Sequence, residues 1–90
     1  MSIREKYDII EKDFHKDRNK ALKEMIDLYV YAIDSYENDI VDAINLYVCD
    51  LGDKEIYNYL EKKMNLVNNE FLRNEFKDWM RIIKSKNNNI

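Results

Sequence analysis

Carboxylates are the side chains of this 90-residue chain whose number and spacing could do chemistry. Residues 24–53 carry eight of them, Glu24, Asp27, Asp34, Glu37, Asp39, Asp42, Asp50 and Asp53, and no lysine or arginine. Residues 1–23 hold seven basic and five acidic side chains, and residues 54–90 hold eight and five. The three segments therefore carry +2, −8 and +3, which sum to the net charge of −3. A block of one sign repels itself, costs stability, and raises the local concentration of oppositely charged partners. The chemistry it suits is recognition of a basic surface, with carboxylates standing where nucleic-acid phosphates would stand. The same stretch is the most apolar part of the chain, so its helices must bury one face and present acids on the other.

Catalytic and metal chemistry have thinner support. His15 is the only histidine, with Glu11 one turn earlier and Asp8 on the same face. Dinuclear carboxylate bundles need Glu-x-x-His on two helices, and the chain has neither copy. Cys49 has no His or Lys near it in sequence and lies in an apolar, acidic stretch that raises a thiol's pKa, so it reads as packing. There is no Gly-rich phosphate loop and no Ser-His-Asp set. No catalytic residue, cofactor or metal ligand set is assigned, and the expectation is a binding protein, not an enzyme.

A basic stripe competes with the acidic block. Arg73, Lys77, Arg81 and Lys84 recur at four, four and three residues near Trp79, a spacing that could touch phosphates. Glu70, Glu75 and Asp78 interrupt it, and the pI near 5.1 is the reverse of a tight nucleic-acid binder's balance. Direct nucleic-acid binding through this segment ranks third among the readings.

The elements that position these groups are helical. One glycine, no proline and 37% charged residues suit an all-α chain, since strands joined by tight turns need many more turn formers. Ninety residues make one domain burying somewhat over ~60% of its unfolded surface. The expectation is a compact bundle of four to five short amphipathic helices over 1–84, with a frayed polar tail at 85–90.

Ile3, Tyr7, Ile10 and Phe14 place an apolar stripe on a helix over about 2–16, opened by Ser2 with Glu5 as a capping box. Asp17 can cap a second helix, but no Gly or Pro enforces the break, so one helix over 2–34 stays open. The second segment buries Leu22, Met25, Ile26, Tyr29, Val30 and Ile33, and a polar cluster at 34–39 turns the chain. A third helix over 39–51 buries Ile40, Ile44, Tyr47, Val48 and Leu51, and Gly52 stops it. Asp53 caps a fourth, with Ile56, Leu60, Met64 and Val67 inward. Asn68 and Asn69 precede a last helix that buries Leu72, Phe76, Trp79, Met80 and Ile83. Ile10, Phe14, Ile26, Ile33, Ile44, Val48, Leu60, Phe76, Trp79 and Ile83 are the expected core.

At about 100° per residue, Asp39, Asp42 and Asp50 fall within roughly 80° of arc opposite the third apolar stripe, with Leu46 among them. On the second helix Asp27, Tyr31 and Asp34 line one edge, with Glu24 and Leu28 beside them. Tyr36, like Tyr31, lies off the seam. An apolar residue ringed by like charges is the pattern of an interface anchor, in which charges steer the partner and the anchor fills a pocket. The expected partner-binding set is Asp27, Tyr31, Asp34, Asp39, Asp42, Leu46 and Asp50.

The expected function is a small acidic inhibitor of a basic protein partner, a nuclease toxin or nucleic-acid-handling complex, whose nucleic-acid-binding cleft it occludes by phosphate mimicry. Bacterial immunity proteins, antitoxins and phage anti-defence proteins share this size and charge, by analogy of class and with no family motif in the chain. A homo-oligomeric scaffold or accessory subunit, a homodimer among its forms, is the alternative. The bland competitor is that the basic flanks neutralise the acidic belt within the molecule. With a single Cys, a charged start and no apolar run near the ~18 residues of a membrane span, the expected setting is cytoplasmic and away from membranes. The abundance of Lys, Asn and Ile suits an AT-rich microbe or its virus.

Overall fold

Short polar side chains set where each helix begins. The computed structural model describes residues 1–88 and Ile90. Among them are five helices: α1 (Ile3–Lys12), α2 (Arg18–Ala32), α3 (Asn38–Leu51), α4 (Lys54–Leu66) and α5 (Glu70–Lys86). At α1, Ser2 Oγ accepts from the Glu5 amide at 3.1 Å and Glu5 Oε1 accepts from the Ser2 amide at 3.2 Å, the full capping box. Asp17, Asp53 and Asn69 each accept from an amide in the first turn that follows, all at 3.1 Å. Each bond satisfies an otherwise orphaned N–H, typically worth about 1 kcal/mol.

The first two helices are separate. α1 ends at Lys12, earlier than the apolar stripe suggests, and a turn bonded by Phe14 N to Glu11 O and Lys16 N to Asp13 O reverses the chain before the Asp17 cap. Folding α1 back on α2 buries Tyr7 and Ile10 and leaves Phe14 half-buried at the edge. Ile33, in the turn after α2, is also half-buried. The other eight expected core residues are buried.

α2 is the central element. It packs on α1, α3 and α4, while α5 packs on α3 and α4, so α2, α3, α5 and α4 close a ring with α1 laid outside it. A helix surrounded this way must be apolar around most of its circumference. Accordingly Ala21, Leu22, Met25, Ile26, Leu28, Tyr29 and Ala32 are all buried. Leu28 departs from the sequence reading, which set it on the acidic edge; α1 covers it. Across the ring, Tyr29 of α2 meets Trp79 of α5 with ring centroids 4.7 Å apart, and Phe76 stacks on Trp79 at 5.3 Å. The Cα radius of gyration, 12.4 Å, matches the ~12 Å of a single close-packed domain of this length.

Gly52 ends α3 for a reason the sequence does not disclose. Its backbone is extended (φ −63°, ψ 138°), so no left-handed cap calls for glycine. Space does: a Cβ there would lie 2.5 Å from Ile83 Cδ1 and 2.6 Å from the Val48 carbonyl oxygen. Ile83 and α5 can approach the α3–α4 corner only because residue 52 has no side chain. Gly52→Ala is therefore expected to cost about 1–3 kcal/mol through overpacking, read as a lower urea midpoint with an unchanged m-value. Beyond Ser85, where the sequence places a frayed tail, α5 continues to Lys86. Asn87 Nδ2 then donates to Ile83 O at 2.7 Å, and Ile90 packs against the core; Asn89 lies outside the described residues.

Candidate partner-binding face

The α3 helix presents Asp39, Asp42, Leu46 and Asp50 to solvent in one stripe, as its periodicity predicts. At 1.5 Å per residue, the stripe runs about 16 Å from Asp39 to Asp50. Leu46 stands 64% exposed within it. On α2, Tyr31 is 69% exposed and Asp27 half-buried, and Asp34 follows in the exposed turn.

The turn holds a residue that the sequence reading left out of the site. Tyr36 is 94% exposed and adopts φ 64°, the left-handed region that suits glycine or asparagine. Ser35 Oγ donates to Ala32 O at 2.7 Å and accepts from the Glu37 amide at 3.3 Å, fixing the reversal around it. The sequence marks a turn over 34–39 but does not say which of its residues takes the left-handed position.

Much of the acidic belt is paired within the molecule. Arg4 Nη2 reaches both Asp39 oxygens, at 2.9 and 2.8 Å, and also the Glu37 carboxylate. The Arg4 hydrogen bond holds the Asp39 carboxyl below its ordinary range, even against desolvation. Lys63 Nζ and the Tyr59 hydroxyl both meet Asp27 Oδ1, at 2.9 and 2.7 Å. Lys86 Nζ lies 3.3 Å from Asp50 Oδ1, and Asn19 Nδ2 donates to Asp53 at 2.9 Å. The basic flanks thus partly neutralise the belt. Exposed pairs of this kind are typically worth only about 0–1 kcal/mol, and Asp39 and Asp50 stay largely exposed. Glu24, Asp34 and Asp42 have no cationic partner among the described residues.

α1 divides the face. On one flank a groove of about 420 Å³ lies between Lys6, Ile9 and Ile10 of α1 and Glu24, Asp27, Leu28 and Tyr31 of α2. On the other flank a groove of about 390 Å³ lies between Tyr7 and Glu11 of α1 and Leu46, Tyr47 and Asp50 of α3. Tyr31 and Leu46 therefore flank different grooves and do not share one pocket. Glu11 pins α1 here, its Oε2 accepting from both Tyr7 and Tyr47 at 2.9 and 3.0 Å. Ile9 is a second residue absent from the sequence reading, although the Ile9-Ile10 pair does broaden the α1 stripe toward α2.

These pairings set a pH window. Asp53 is pulled down in the folded state: burial opposes its charge, but the Asn19 hydrogen bond, the Ile56 amide and Arg18 outweigh it. Glu55 is pulled down by hydrogen bonds from Lys23 and Asn19. Lowered carboxyls contribute stability above their unfolded pKa near 4, lost as pH falls through the folded values. Tyrosines act at the other end. Burial, then Glu75, raises Tyr29; burial, then the Glu11 hydrogen bond, raises Tyr7 and Tyr47; burial, then Asp27, pushes Tyr59 up to about 12. Because the unfolded chain releases these protons near pH 10, their contribution is complete below that value and lost above it. Urea midpoints are therefore expected to be level from about pH 5 to 9 and to fall on both sides.

Cys49 is buried, its thiol raised by desolvation, with Sγ 3.4 Å from Asn45 Oδ1. His15 is exposed beside Phe14, and the Glu11 carboxylate is engaged by the two tyrosines. No three His, Cys, Asp or Glu side chains gather as a metal site among the described residues. The basic stripe of α5 is shortened, since Arg73 Nη1 donates to Val67 O at 2.9 Å beyond the end of α4. Lys77, Arg81 and Lys84 remain exposed. No described helix is long and apolar enough to cross a membrane.

The fold and this face together define an all-α five-helix bundle with an acidic, aromatic surface. Comparison with protein-family models, curated proteins and solved structures gives no match.

Proposed function

We propose that this is a non-catalytic binding protein whose acidic α2–α3 face occupies the basic, nucleic-acid-binding cleft of a protein partner. The observation that carries the reading is Tyr36: a bulky aromatic side chain, almost wholly exposed, in a backbone conformation that costs a non-glycine residue about 1–2 kcal/mol. Strained backbone clusters at contact sites, and here Ser35 holds the turn while nothing among the described residues packs against the Tyr36 ring, which leaves that ring free for a partner. Asp34 precedes it in the turn and Asp42 follows it on α3, both exposed and without internal cations among the described residues, with Leu46 further along α3. The carboxylates steer a cationic surface toward the face and replace phosphate there, while Tyr36 and Leu46 supply contact area.

Tyr36→Gly is expected to separate stability from function. Glycine removes the left-handed penalty but adds roughly 0.5–1 kcal/mol of unfolded-chain entropy, so stability should rise by about 0.5–1 kcal/mol in urea. The same variant should release the partner faster. Binding itself is tested by capture from cell extract at low salt with the wild-type chain and with a Glu24→Gln/Asp34→Asn/Asp42→Asn variant. A partner held by the wild type, lost with the variant and displaced by added duplex DNA or RNA supports the reading. Equal capture by both chains, or a complex indifferent to nucleic acid, overturns it.

A further inference from the structure

We propose that the groove between α1 and α3 receives one arginine side chain of a protein partner, its stem lying on Leu46 and its guanidinium meeting the Glu11 and Asp50 carboxylates. This deepens the reading above, on which it rests for a basic partner at the acidic face, and commits that partner to one residue type at one place. The groove holds about 390 Å³, within the usual range of binding pockets, roughly 300–1,000 Å³. Ala43, Leu46 and Leu51 give it an apolar wall, and the rings of Tyr7 and Tyr47 an aromatic one. The charged residues of its lining are Glu11 and Asp50, both carboxylates.

Hydrogen-bonding capacity selects the occupant. Both tyrosine hydroxyls donate to Glu11 Oε2, at 2.9 and 3.0 Å, so their protons are committed and they offer a guest only lone pairs. Glu11 Oε1 and Asp50 Oδ2 have no donor among the described residues. The side-chain polar atoms of the groove are therefore all acceptors, and they call for a guest that carries only donors. Cations outside the lining leave the charge standing. Lys86 Nζ is shared between Cys49 O at 3.2 Å and Asp50 Oδ1 at 3.3 Å, and Arg4 is taken by Glu37 and Asp39. Lys12 lies about 100° around α1 from Glu11, exposed on the outer side of the helix with Asp8. Glu11 itself has no cationic partner among the described residues, so a negative charge remains even with Asp50 counted as neutralised by Lys86. The trough between α1 and α2 makes no such choice, because Lys6 there stands against Glu24 and Asp27 is already held by Lys63.

Arginine meets these demands together. Its guanidinium is always charged, carries donors and no acceptor, and lies flat on aromatic rings, while its stem covers apolar surface. Glutamine would bring an acceptor with no donor to meet it, and a carboxylate would be repelled. The aromatic wall is set before docking: Phe14 lies against Tyr47 with ring centroids 5.2 Å apart, and the Glu11 bond ties Tyr47 to α1. Little side-chain freedom is then lost on binding.

The test is an amide-resolved NMR titration of the full chain with two short peptides, acetyl-Ala-Arg-Ala-amide and its citrulline counterpart, which matches it in length and shape but has no charge. The arginine peptide is expected to shift Glu11, Leu46, Tyr47 and Asp50 saturably and to bind about tenfold more tightly than the citrulline peptide. Glu11→Gln should weaken it about fivefold; glutamine keeps a carbonyl oxygen for the two tyrosine hydroxyls, so α1 stays docked. Asp50→Asn, at an exposed position, should weaken it about twofold. Equal binding of the citrulline peptide, or an arginine affinity unmoved by both variants, overturns the proposal. Shifts confined to Asp34, Tyr36 and Asp42 overturn the groove and leave the acidic-face reading standing. The absence of any shift also overturns the groove, and the acidic face is then decided by partner capture and its displacement by nucleic acid.

Discussion

Trp79→Ala is expected to lower the unfolding free energy by about 3–5 kcal/mol, the largest effect of any single truncation in this molecule. Trp79 is 1% exposed and joins α5 to α2 through Tyr29 and to its own helix neighbour Phe76. Removing it deletes the largest fully buried side chain and two aromatic pairs, each typically worth about 0.5–1.5 kcal/mol beyond burial. The ring of α2, α3, α5 and α4 cannot collapse onto the cavity without moving a helix. A domain of this size commands only about 5–15 kcal/mol in all, so the variant should be marginal at room temperature. Trp79→Phe serves as the control. The indole Nε1 is buried with no acceptor among the described residues, so phenylalanine keeps most of the packing and removes an unpaired donor. Its cost in urea denaturation should be well below that of alanine. A loss under ~1 kcal/mol for Trp79→Ala would mean that the inward face of α5 is misassigned.

The second large effect is kinetic. If Leu46 anchors the complex, Leu46→Ala should act on dissociation, accelerating it by about thirtyfold, the equivalent of roughly 2 kcal/mol at a hot spot. Folding should be unaffected, because Leu46 stands largely in solvent and alanine is the better helix former. Charge changes should act on the other rate. Neutralising Asp34 and Asp42 removes steering, slowing association while leaving dissociation close to wild type. Stability should hold or rise slightly in these variants, since like charges without internal partners repel one another.

What was legible in the sequence is local chemistry. Ser2 with Glu5, Asp17 and Asp53 announce helix starts because a cap bonds within three residues of itself, and Asn69, read only as part of a break, proves to be a fourth cap. The α3 stripe is equally legible, because periodicity alone sets Asp39, Asp42, Leu46 and Asp50 outside and Ile44 and Val48 inside. What escaped depends on residues far along the chain. Gly52 answers to Ile83, Leu28 is covered by α1, and Asp39 pairs with Arg4 thirty-five residues away. Charge totals show that the flanks could neutralise the belt; only the packing of α1 and α5 decides that Arg4 and Lys86 do so at Asp39 and Asp50 and leave Asp34 and Asp42 alone. Tyr36 escaped because strain is a property of φ, which a composition count does not carry.

The proposed docking of the acidic face is tested most directly by the association rate of the captured partner, purified and measured against the wild-type chain and against Asp34→Asn/Asp42→Asn over a range of salt. Electrostatic docking requires wild-type association to slow by about an order of magnitude as ionic strength rises from low to several tenths molar. The double variant should start slower and depend less on salt, with an unchanged urea midpoint showing that the fold is intact. Association that is equally fast for both chains and indifferent to salt would contradict the proposal and leave the acidic face a solvated surface.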